Sequence, residues 1–124
     1  MLSNDISYGD PRPEARIRDP DLLRLMHGER ERECVLSCEI ARLELHHILP
    51  RSQRGDDVRA NLVWLTAEWH RRITANDPDA RELLGRFIVA EKPEFFYYLA
   101  GKLGSKVKAR DWMRRRLLVE CLLP

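Results

Sequence analysis

The sequence predicts an α+β domain in which two short strands and a helix form a small unit within a mainly helical chain. Three observations carry this. Leu43, Leu45 and His47 alternate with Glu44 and His46, the two-residue period of a strand. A second apolar run, Leu62 to Leu65, follows Asn61 and leads into residues 67–75, which read as a short helix. Asp19-Pro20 and Asp77-Pro78 are helix starts, a capping carboxylate followed by proline at the first helical position.

Taken in order, residues 1–18 hold Gly9-Asp10-Pro11-Arg12-Pro13 and no apolar period, which predicts an irregular lead segment with no assigned function. Residues 19–33 form an N-terminal helix running to about residue 31, with Leu22, Leu23, Leu25 and Met26 as its apolar face. His27 on that helix reads as an ordinary surface or packed histidine. Residues 34–77 hold the strand, loop, strand and helix, with Gly55-Asp56-Asp57 as turn residues. Thr66 is placed to cap the helix. Trp69 and Ile73 form an i, i+4 apolar pair, and burying the indole is worth about 2–3 kcal/mol. Residues 78–124 read as a helical extension packed on this unit. One helix reaches Glu91, a second covers Glu94 to Leu103 after Lys92-Pro93, and a third spans about 108–122, with Met113, Leu117 and Cys121 four apart.

A chain of 124 residues, 44% hydrophobic and 34% charged, suits one globular domain. No apolar stretch approaches the ~20 residues needed to cross a bilayer, and the first residues lack the layout of an export signal, so a cytoplasmic protein is expected. Three cysteines, an odd number, argue against a disulfide framework. The net charge of +2 hides an uneven distribution. Residues 1–45 carry seven arginines against ten acids, a net of −3, whereas residues 102–116 carry seven bases against Asp111 alone, a net of +6.

The chemistry-bearing run is Leu45-His46-His47-Ile48-Leu49-Pro50-Arg51-Ser52, followed by Asn61-Leu62-Val63-Trp64-Leu65 and His70. On a strand, adjacent histidines point to opposite faces, so one imidazole can hold a metal while the other stays free to take a proton. The His-His-Ile-x-Pro-Arg-Ser run, Gly55 to Asp57, the Asn-Leu-Val-x-Leu run and the final His-Arg-Arg-Ile resemble the HNH endonuclease family over residues 34–77.

That resemblance implies a ββα-metal finger, a two-stranded antiparallel hairpin plus a helix. It implies phosphodiester hydrolysis in DNA, leaving 5′-phosphate and 3′-hydroxyl ends, with His46 and His70 binding one divalent cation, Mg²⁺ or Mn²⁺, and His47 as general base. Asn61 would order the loop and fix the His47 ring through its amide. A rate that rises with pH through roughly 6 to 7 is expected of an imidazole base. Thr74 stands one turn after His70, where the family often has a further ligand. Members with a structural zinc use two Cys-x-x-Cys pairs. Here the first pair is Cys34-x-x-x-Cys38, and Thr66 and Trp69 replace the second, so zinc is not expected and the two cysteines read as small packed groups.

Arg51, Arg54, Arg59, Arg71 and Arg72, with Lys106, Lys108, Arg114 and Arg115 further on, are candidates for phosphate contacts that position DNA without reading its sequence. No base-reading motif is present, so low sequence specificity is expected. The resemblance also suggests the small proteins of bacteria and their phages, with phage packaging proteins as partners by analogy. Two other classes compete: an inactive DNA-binding module derived from the same finger, and a small zinc-binding adaptor built on Cys34 and Cys38.

Overall fold

The computed structural model describes residues 16–124. Helix α1 covers Pro20–His27, strand β1 Leu43–His47, strand β2 Leu62–Thr66, and α2 to α5 cover Ala67–Thr74, Pro78–Glu91, Glu94–Leu103 and Lys106–Leu117. The class is α+β, with a two-stranded antiparallel hairpin and five helices among the described residues. None of these helices is long and apolar enough to cross a membrane. All but the last three residues of the irregular lead segment expected at 1–18 lie outside the described residues.

Cap chemistry sets the helix ends. Asp19 and Asp77 accept from N–H groups of the first turns of α1 and α3, Thr66 accepts from Trp69 N at 3.2 Å, and Ser105 accepts from Lys108 N at 3.0 Å. Two helices differ from expectation. Helix α1 stops at His27 rather than continuing towards residue 31: Gly28 makes the last i→i−4 bond, to Arg24, and the Glu29 N–H donates three residues back, to the Met26 carbonyl. Helix α5 starts two residues early at its serine cap and stops at Leu117, where Leu118 turns left-handed (φ 56°). The tail then lies against α3 at Gly85, where an added Cβ would fall 2.5 Å from the Leu117 carbonyl oxygen. Cys121 lies on this tail rather than on the helix, and is buried in the main core.

The hairpin register pairs His46 with Val63 and His47 with Leu62. Side chains of paired residues share a face, so His46 and Glu44 lie with Val63 and Leu65, and His47 lies with Leu62 and Trp64. The burial follows that alternation. Val63 and Leu65 join the main core with Ile73, Leu84, Phe95 and Met113, while Leu62 and Trp64 pack with Met26 of α1. Strand β2 is buried on both faces and its outer edge accepts from Val35 N–H at the Trp64 carbonyl, whereas among the described residues the outer edge of β1 has no such backbone partner. His27 Nδ1–H donates to the Leu23 carbonyl, 2.7 Å away, and its ring meets Trp64 edge-on, as a packed histidine does. Trp69 is only half-buried: Ile73 faces the core, and the Arg72 guanidinium covers the indole at 4.3 Å.

Candidate functional site

Between the hairpin and helices α2, α3 and α5 lies a cleft of about 860 Å³. His46, His47 and His70 all line it. Because β1 has an open edge, residues from its two faces can reach one space. The imidazoles of His46 and His70 meet edge to face, with centroids 5.0 Å apart.

His46 is buried, and burial first, then the neighbouring His70 and His47, lowers its pKa to about 3. It is therefore a neutral imidazole at neutral pH, the state a metal requires. His70 places Nδ1 2.7 Å from Oε1 of Glu44. A carboxylate on one ring nitrogen fixes the ring and leaves the other nitrogen free. Glu44 reaches His70 because it stands two residues before His46, on the same face of β1.

His47 points to the other face, where its Nε2 lies 2.7 Å from Oδ1 of Asp57. Burial opposes ionisation of Asp57, but hydrogen bonds from the Asp19 N–H and from His47, with the Arg16 guanidinium, outweigh it and hold the carboxyl below its usual range. An ionised carboxylate can only accept, so Nε2 carries the proton and the Nδ1 lone pair remains available. Burial lowers the His47 pKa most, with Arg51 and Arg16 adding to it and Asp57 opposing it.

Asn61 does not touch His47. Its amide accepts from Leu49 N at 2.7 Å and donates to the carbonyls of Leu49 and Asp56 at 3.1 Å each. It ties the loop between the strands to Leu49, while Asp57 is bonded to the His47 ring. Asp56 and Asp57, expected as turn residues, are both buried. Asp56 accepts from Ile17 N at 2.5 Å, Tyr98 Oη at 2.8 Å and Lys102 Nζ at 3.0 Å. A further bond, Trp112 Nε1 to Gln53 Oε1 at 2.9 Å, ties the loop to α5. Gly55 is required where the loop doubles back, since a Cβ there would sit 1.6 Å from the Leu49 carbonyl oxygen.

Thr74 turns its hydroxyl back onto the carbonyls of His70 and Arg71, at 3.0 Å. Among the described residues, no group of three or more His, Cys, Asp or Glu converges as a metal-binding set. Cys34 is buried, but Cys38 is exposed in a left-handed turn (φ 63°), so only the first is a packed apolar group.

The basic residues divide. Arg51 lines the cleft, and Arg54, Arg71 and Lys108 are exposed. Arg59 pairs with Glu29, Arg72 with Asp77, Arg114 with Glu120 and Arg115 with Asp111, and Lys106 approaches the Tyr97 ring. Ion pairing thus commits four of the predicted contacts to partners within the chain. Two further cleft residues, Arg81 and Arg116, form no ion pair with a carboxylate among the described residues. Glu44 could have been found from its two-residue spacing to His46. Arg81 had no local signal, since chain folding alone brings it to the cleft; Arg116 lies in the basic segment 102–116 and Asp57 in the Gly55 to Asp57 run, but neither signal gives their partners. In comparisons with family models, curated proteins and solved structures, the chain finds no match.

Proposed function

We propose that this protein is a metal-dependent endonuclease of the HNH type that hydrolyses phosphodiester bonds in DNA, and that β1, β2 and α2 form its ββα-metal finger. The observation that carries the reading is the pairing of the His46 and His70 rings, 5.0 Å apart, in the same cleft as His47. One neutral, buried imidazole and one carboxylate-backed imidazole suit a divalent cation as a partial ligand set, with the rest of the shell left to water and phosphate oxygens. Imidazole donors favour Mn²⁺ over Mg²⁺ at such a site. Bound there, the cation would supply Lewis-acid neutralisation of phosphate charge.

The chain's own groups account for the rest. His47, with Nε2–H held by Asp57, offers Nδ1 to take a proton from water. Asn61 keeps the loop that carries Asp57 closed against Leu49. Arg51, on the same cleft, is placed to meet a phosphate oxygen.

A supercoiled plasmid incubated with Mn²⁺ or Mg²⁺ tests this. Nicking by the native chain that is lost in His47→Ala and in excess chelator is expected; equal nicking by His47→Ala overturns the assignment. A second reading, a finger that binds DNA without cutting it, is favoured by the Thr74 hydroxyl turned into its own helix, which leaves two imidazoles as the ligand set. Retarded plasmid mobility with no nicking under any metal would select it.

A further inference from the structure

Helices α3 and α5 contribute Arg81 and Arg116 to the lining of the cleft that holds the histidines. Arg81 is half-buried. One terminal nitrogen donates to Asn76 Oδ1, while its Nε is buried with no hydrogen-bond partner. Burial and then the nearby Arg116 charge weaken its hold on its proton. Neither arginine faces a carboxylate among the described residues, although Arg59, Arg72, Arg86, Arg114 and Arg115 each do. Two guanidinium groups near one another on the cleft, one half-buried and one exposed, repel each other, and an anion between them would relieve that repulsion.

We infer that Arg81 and Arg116 clamp a second backbone phosphate of the bound DNA strand, one that is not cut, and so set the path of the strand across the cleft; this rests on the endonuclease reading. The guanidinium fork matches the paired oxygens of a phosphodiester. At about 860 Å³ the cleft lies towards the upper end of the roughly 300–1,000 Å³ typical of ligand sites, more than one phosphate fills. The acid on the cleft, Glu44, is bonded to His70 and leaves the arginine wall its positive charge.

The test is fluorescence anisotropy with a labelled single-stranded DNA oligonucleotide in chelator, over a range of salt, using the native chain, Arg116→Gln, Arg81→Gln and the double variant. Each single change should weaken binding by roughly five- to tenfold, and the salt slope should fall by about 0.7 per contact removed. Arg86→Gln, whose arginine is exposed and paired with Glu82, should bind like the native chain. Arg116 is exposed, so its variant keeps the test sound even where Arg81→Gln unfolds. Native affinity and slope in Arg116→Gln and in a folded double variant overturn the clamp. Plasmid nicking separates the two ideas: weakened binding with no nicking by any form keeps the phosphate site and rejects the nuclease, whereas native nicking with undiminished binding does the reverse.

Discussion

Asp57 Oδ1 lies 2.7 Å from Nε2 of His47, ten residues earlier in the chain, and both side chains are largely removed from solvent. The pair spans the loop between β1 and β2. Asn61, Gly55 and Asp56 shape that loop, and Asp57 is delivered to the ring as a result.

If Asp57 sets the tautomer of His47, Asp57→Asn keeps an acceptor near Nε2 but loses the charge that holds the ring. Nicking should fall by about 10- to 100-fold with binding of DNA unchanged. Single-turnover rates at saturating protein separate this from a binding defect, and an unaltered rate would show that the carboxylate is only structural.

Glu44 acts one bond further from the site. Glu44→Ala frees the His70 ring to rotate, and Mn²⁺ affinity, read by titration calorimetry, should drop by about 10- to 100-fold while thermal stability hardly moves, because the glutamate is half exposed. Affinity equal to that of the native chain would remove Glu44 from the site.

Asp56 gives a signed dependence on pH. Burial opposes its ionisation, but the Ile17 N–H, Lys102 and Tyr98 outweigh it and hold the folded pKa below the ordinary 3.8. A carboxylate lowered in the folded state stabilises above the unfolded pKa, and that stability is lost as pH falls through the folded value. Urea midpoints should therefore decline below about pH 4 and be flatter with pH in Asp56→Asn. At neutral pH, Asp56→Ala removes an acceptor from three donors and should cost about 3 kcal/mol. A variant with native stability at pH 7 would contradict the anchoring role.

Gly55→Ala tests the loop itself. The added carbon would lie 2.6 Å from the Leu49 carbonyl carbon and 2.9 Å from the Pro50 oxygen, both backbone atoms that cannot swing aside. The loop must move, so stability should fall by about 3 kcal/mol or more and nicking should be lost with it. Circular dichroism melting beside the plasmid assay reads both; a melting curve matching the native one would refute the close approach.

Local rules made much of the architecture legible. Caps at Asp19, Thr66 and Asp77, the break at Pro93 and the apolar periods located the helices, because those signals act within a turn or two of chain. The ends of α1 and α5 differ from the apolar periods, since a tightened turn after Gly28 and the left-handed Leu118 end these helices, which the periods do not record.

What the sequence alone determined was the two-residue alternation of β1, and with it the separation of His46 and His47 onto opposite faces. Tertiary structure decided their partners. Register with β2 and packing of α2 brought Glu44 to His70, and a loop pinned by Asn61, Tyr98 and Lys102 brought Asp57 to His47. The folding of α3 against α5 set Arg81 beside Arg116. Such pairings join residues far apart in the chain, and their energy depends on burial and direction in space, neither of which spacing along a sequence encodes.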